Sequence, residues 1–187
     1  MKTAFLTYRK RAITATLLAL SLATGGSAGA ASPTLIDYGA APDFSGIEHW
    51  LNSVPLSMPA LRGKVVLVDF WTYSCINCLR TLPYVTRWHQ RYKDKGLVVV
   101  GVHTPEYPFE KQTRNVQTAI KRFDIPYPVA QDNQYATWKA YDNQYWPAAY
   151  LIDRNGRIVL KHFGEGHYDE MEQAIRVLLG PDMPPLK

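Results

Sequence analysis

Apolar positions recur along this chain with two different spacings. Residues 65–71 (Val-Val-Leu-Val-Asp-Phe-Trp) and 97–102 (Leu-Val-Val-Val-Gly-Val) are nearly continuous apolar runs rich in β-branched residues. That is the pattern of strands covered on both faces. Between them Leu79, Leu82, Val85 and Trp88 fall near helical spacing, which predicts a helix from Cys75 to about Lys93, closed by Gly96. A second helix is predicted over 109–123, with Val116, Ala119, Ile120 and Phe123 on one face, broken by Asp124-Ile125-Pro126. A short strand at 127–130 and a short helix at 135–141 follow. Residues 148–152 and 157–163 flank Asp153-Arg154-Asn155-Gly156, and Asn-Gly is a strong hairpin signal. The last helix is predicted over 167–179. Upstream, residues 31–46 read as an extended lead-in. Residues 48–64, where Leu51, Leu56 and Leu61 sit among turn residues, suggest a small hairpin.

Strand–helix–strand–helix–strand, then a hairpin and a helix, predicts an α/β sandwich with helices on both faces of a central mixed sheet. The strands of the first βαβ units should be parallel, and the hairpin should add an antiparallel edge. The pattern fits one domain over 47–180, followed by a Pro-rich tail at 181–187.

Composition agrees and removes other classes. The chain has 187 residues, 47% hydrophobic and 12% aromatic, which supports a sizeable core and argues against a disordered chain. Its net charge of +5 hints at an acidic partner until its location is examined. Lys2, Arg9, Lys10 and Arg11 precede an apolar run at 12–24 and the small-x-small triplet Ala28-Gly29-Ala30, so residues 1–30 read as an export signal. The run is too short for a comfortable membrane span, which takes about 20 residues. Without the leader, 17 Lys and Arg face 16 Asp and Glu, a net of +1, with no basic run longer than Lys121-Arg122. Nucleic-acid binding therefore has no electrostatic footprint. The mature chain is expected in the periplasm, as a monomer.

Two cysteines, Cys75 and Cys78, are the whole cysteine content, and they stand where a buried strand ends and a helix begins. A four-residue loop is a poor staple, because the entropic gain of a disulfide grows with the loop it closes. As chemistry the position is favourable. Unpaired backbone N–H groups and the helix dipole lower the pKa of a thiol at a helix N-terminus. A second thiol one turn along can then resolve a mixed disulfide. Zinc would need further cysteines or suitably placed histidines, and His49, His89, His103, His162 and His167 do not supply that spacing. No metal and no organic cofactor is expected; the redox group is the Cys75–Cys78 pair itself.

The stretch from Val68 through Asp69, Phe70, Trp71, Thr72, Tyr73, Ser74, Cys75, Ile76, Asn77 and Cys78 to Pro83 resembles the thioredoxin superfamily. It is most similar to the exported TlpA-like branch, which includes the C-terminal thioredoxin domain of DipZ-type electron transporters. The resemblance runs from about Leu51 to Leu179 and implies a thioredoxin-like three-layer sandwich with the extra strand–helix unit of that branch. It also implies roles. Asp69 matches the family's buried acid and would take the proton of Cys78. Pro83 matches a helix-kinking proline, although it could also end a shorter helix. Trp146-Pro147 matches the cis-proline position, which would present backbone to a substrate peptide beside Cys75. Trp71 and Tyr73 join Trp146 and Pro147 as expected substrate-binding residues. Gly164-Glu165-Gly166 falls in a loop near the active site, and Glu106 matches an acid that the branch places near the cysteines. The family's tryptophan before the first cysteine is here Ser74, and Ile76-Asn77 contains neither Pro nor His.

The implied function is an exported thiol–disulfide oxidoreductase acting on protein thiols and disulfides, a reductant or relay more than a strong oxidant. A membrane electron transporter is the candidate partner. Two alternatives stay open. Thr72, three residues before Cys75, is the spacing of a thiol peroxidase, although Val68 replaces the proline found there. Cys75, Cys78 and His103 could together hold Cu(I).

Overall fold

The run at 65–71 becomes the central strand of the sheet. The structure is a computed structural model that describes residues 33–181; the expected leader at 1–30 and the tail beyond 181 lie outside the described residues. Six strands, β1 (His49–Leu51), β2 (Val65–Trp71), β3 (Leu97–His103), β4 (Val129–Gln131), β5 (Ala148–Ile152) and β6 (Ile158–Phe163), order as β1-β4-β3-β2-β5-β6. The pairs β2–β3 and β3–β4 are parallel, and β2–β5, β5–β6 and β1–β4 are antiparallel. This is the mixed sheet that the sequence pattern predicts.

All seven residues of β2 are buried, which explains its lack of polar alternation. Val65, Leu67 and Trp71 face a core built with α1 (Ile76–Tyr92), α2 (Thr113–Arg122) and α4 (Tyr168–Leu179). Val66, Val68 and Phe70 face the opposite core, closed by Met58, Leu61, Trp138 and Tyr141 around α3 (Ala136–Ala140). Helix α1 continues through Pro83 and buries Cys78, Leu82, Val85, Trp88 and Tyr92. Gly96 takes the left-handed φ of 103° that closes the segment after α1, a conformation strained for residues with a Cβ.

Two expectations are corrected. Residues 48–64 form no local hairpin. β1 instead pairs with β4, about 80 residues on, and residues 59–61 make one 3₁₀ turn. Asn52, at φ 63°, ends β1 and donates its amide to the carbonyls of Ile125 (2.8 Å) and Tyr127 (3.1 Å), which ties this edge down. The helix expected over 109–123 is split into a 3₁₀ turn at Pro108–Lys111 and α2, because Gln112 is extended. The lead-in pairs along the outer edge of β6 through Ile36, Tyr38 and Gly39, covering an edge that would otherwise be open.

Candidate active site

Cys75 caps the N-terminus of α1, with extended backbone, and both cysteines are free thiols. The backbone N–H of Cys78 donates to Cys75 Sγ at 3.3 Å, and the Cys75 thiol reaches the Trp146 carbonyl at 3.9 Å. The two sulfurs differ in environment. Cys75 is half-buried, and its pKa is lowered to about 7, chiefly by the hydrogen bond from the Cys78 thiol and then by the N–H groups of Cys78 and Asn77. Partial burial and the charge of Glu106 oppose that shift. Cys78 is 1% exposed; burial pushes its thiol far up, and the hydrogen bond to Cys75 adds to this. One thiol is therefore accessible and lowered toward neutral pH, while the other is hidden and held protonated.

Asp69 is buried near Cys78, and burial raises its carboxyl to about 8. Its Oδ1 has no hydrogen-bond partner. The Trp146–Pro147 peptide is cis, as the resemblance implies, and Pro147 is buried. Trp146 is anchored by its indole N–H on the Thr104 carbonyl (3.0 Å) and by Trp138, whose ring centroid is 4.1 Å away. The Gly164 N–H donates to the Pro147 carbonyl (2.8 Å) and Arg80 pairs with Glu165 (3.2 Å), so the 164–166 loop lies against both the proline and α1.

Tyr73 is partly exposed, stacks on His103 and donates its hydroxyl to the Phe109 carbonyl. Trp71 is not on the surface. Its position on β2 turns it into the helical core, where it is fully buried against the edge of His103. It supports the site from below and offers no face to a substrate. Glu106 is exposed, and it is Glu110, missed in the sequence, that is buried. Glu110 accepts the Ser74 hydroxyl (2.5 Å) and the N–H groups of Glu106 (2.5 Å) and Tyr107 (2.9 Å). These bonds hold its carboxyl below the usual range although burial works against them. The signal was present as Pro108 followed by Glu110, a proline and an acid in a first helical turn that can cap the preceding backbone.

His103 is buried with Nε2 3.3 Å from the Thr72 hydroxyl, and burial lowers its pKa to about 4. Thr72 is buried too, its hydroxyl turned to that ring. Among the described residues no three His, Cys, Asp or Glu side chains are grouped to hold a metal ion. Several large apolar side chains are exposed. Ile76 is 60% exposed, Tyr107 stacks on Phe109, and Tyr145 packs against Phe163, with all four rings exposed.

Comparison with known proteins agrees with this geometry. The Redoxin family model matches residues 38–175. Protein DipZ of Mycobacterium bovis is 53% identical over 152 residues, which is 80% of this chain and 22% of that protein. The chain thus spans about a fifth of the first of its curated relatives. The thiol-disulfide oxidoreductase YkuV of Bacillus subtilis is 31% identical over 125 residues, 67% of this chain and 82% of that one. The crystal structure of a thiol-disulfide isomerase from Corynebacterium glutamicum superposes with a TM-score of 0.66 at 27% identity, over 75% of this chain and 97% of the other. A buried strand leading into a CxxC at a helix N-terminus, a cis-proline opposite it and these likenesses together place the chain in the Redoxin family, within the thioredoxin superfamily.

Proposed function

We propose that the chain exchanges thiols and disulfides with protein substrates through Cys75 and Cys78, outside the cytoplasm and in the reducing direction. The observation that carries the reading is the contrast between the two sulfurs: Cys75 accessible and lowered to about 7, Cys78 buried and raised. Cys75 thiolate attacks a substrate disulfide, forms a mixed disulfide and releases one substrate sulfur. Cys78, its proton taken by Asp69, then attacks Cys75 and frees the second.

Several observations support the finer parts. The exposed apolar groups at Ile76, Tyr107, Phe109, Tyr145 and Phe163 suit a protein chain as substrate. Trp146 and Pro147 present backbone beside Cys75, where an extended segment can pair as an added strand. A nucleophile near 7 matches reducing thioredoxins, whereas strong oxidants of this fold hold theirs near about 3.5. The absence of a histidine between the cysteines fits the milder value. The export reading rests on the sequence of residues 1–30, and a membrane electron transporter as electron source rests on the likeness to DipZ. The peroxidase and copper readings gain no such support, since Thr72 and His103 are buried and bonded to each other.

Equilibration with glutathione buffers, with the dithiol fraction read by mass after alkylation, tests the direction. The reductant reading predicts a potential more negative than about −200 mV, toward the value of about −270 mV found for thioredoxin. A potential near about −120 mV, that of a dedicated oxidant, contradicts it.

A further inference from the structure

Two residues with a buried polar atom that lacks a partner lie in a single row of the sheet. Strands β2, β5 and β6 are neighbours, and Asp69 lies opposite Ala149, which lies opposite His162. Residues opposite one another on adjacent strands project to the same face. A strand spacing of about 4.8 Å puts the outer two about 10 Å apart at the backbone. The residue between them is only an alanine, so the row is left unfilled. Asp69 Oδ1 and His162 Nε2 are both buried and both lack a hydrogen-bond partner. The three residues line one cavity of about 10 Å³, closed by Thr81, Pro147 and Tyr168. That volume accommodates about one water molecule, and unpaired buried polar atoms are the groups such waters satisfy. The wall is fixed, because the Thr81 and Tyr168 hydroxyls are bonded at 3.2 Å and Tyr168 stacks on Tyr84.

We propose that this pocket is hydrated and that His162 is a positioning residue, the group through which Asp69 exchanges its proton with solvent. The inference rests on the role given to Asp69 above. In the resolving step the Cys78 thiol passes its proton to Asp69 in its ionised form, the minor form at pH 7 because burial raises the carboxyl to about 8. The Cys78 thiolate attacks Cys75 Sγ, the Cys75–Cys78 bond forms, and the bond from Cys75 to the substrate breaks. Two electrons have then passed from the cysteine pair to the substrate, whose departing thiolates take protons from solvent. Asp69 is left as a neutral acid and must lose its proton before the next cycle. The pocket gives it a path through water to His162 Nε2. The His162 ring lies 5.0 Å from that of exposed His167, whose Nδ1 is 2.9 Å from Glu170.

The groups facing this path come from every packed element. Asp69 is near Cys78 of α1 and Tyr127 before β4, and shares the pocket with Thr81 of α1 and Tyr168 of α4. His162 meets His167 and Glu170 at the start of α4, and Glu165 in the preceding loop. Burial, and then the neighbouring His167, lower His162 below the ordinary histidine value, which keeps it a neutral acceptor at pH 7. A competing route would run past Tyr127, which is buried near Asp69 and interacts with Thr86, to His89, whose ring lies 5.8 Å from that of Tyr127.

The test is a carboxyl NMR titration of Asp69 in the reduced full chain, alongside the pH dependence of mixed-disulfide resolution. In His162→Phe the ring fills the pocket; the Asp69 midpoint is expected to rise by at least about one pH unit, and resolution at pH 7 to slow about tenfold. Ala149→Val fills the same space from the middle strand and should move the midpoint the same way. His162→Gln restores a polar end and should return the midpoint to that of the wild type. An unchanged midpoint in His162→Phe and Ala149→Val, an equal shift in Phe and Gln variants, or a shift seen instead in His89→Gln overturns the proposal. The titration reads the pocket even if the chain proves inactive toward disulfides, so failure of the pocket and failure of the functional reading are distinct results.

Discussion

Cys75→Ser is expected to lose disulfide reductase activity by about a thousandfold or more, while Cys78→Ala forms mixed disulfides and stops there. The asymmetry of the two thiols dictates this. A serine hydroxyl at residue 75 stays protonated at neutral pH, so the hydrogen bonds that lower Cys75 to about 7 have no thiolate to stabilise. Cys78 cannot substitute, since it is buried beneath its partner and held protonated. In Cys78→Ala the first attack proceeds, but no second sulfur lies within reach to release the substrate. Reduction of a model protein disulfide, followed by turnover and by mass for trapped adducts, checks both. Turnover by Cys75→Ser comparable with the wild type is the result that the account does not allow.

Asp69→Asn is expected to stabilise the protein at alkaline pH, by on the order of 3 to 5 kcal/mol at pH 9, and to leave stability near pH 3 little changed. The folded chain holds the Asp69 proton up to about pH 8, whereas an unfolded aspartate releases it near about pH 3.9. Between those values the native state binds the extra proton. The stability this supplies is fully present below about pH 4 and is lost as pH rises through about 8. The buried Oδ1 without a partner is the structural form of the same cost. Denaturant unfolding of both proteins from pH 3 to pH 9 measures the divergence, and parallel curves contradict it. The same substitution should slow mixed-disulfide resolution, so the residue trades stability for a proton acceptor beside Cys78.

What could be read from the sequence is what short-range physics determines. Strands β2 and β3 announce themselves because burial on both faces forces unbroken apolar runs. Helix α1 and its cysteine cap follow from helical spacing after a buried strand, and the hairpin of β5 and β6 from Asn155-Gly156. The proline inside α1 could not be resolved by pattern, because a kinked long helix and a shorter one begin alike. β1 leaves no legible pattern, because three residues carry too little signal and its partner is distant in sequence. The alignment of Asp69, Ala149 and His162 is a matter of register between strands, which no local pattern encodes. Glu106 drew attention by its place after β3, yet the chain turns it outward and folds Glu110 inward onto the same loop. The resemblance implies a substrate-binding role for Trp71, whereas strand alternation sends it to the core.

The central claim is that the two sulfurs of one short motif are chemically unequal. Alkylation of the reduced protein across pH 5 to 10, with each cysteine followed by mass spectrometry, measures that inequality directly. The account predicts that Cys75 reacts with a midpoint near pH 7 and that Cys78 stays unmodified in the folded protein. Equal labelling of both residues, or a Cys75 midpoint at the ordinary thiol value of about 8.5, would contradict it.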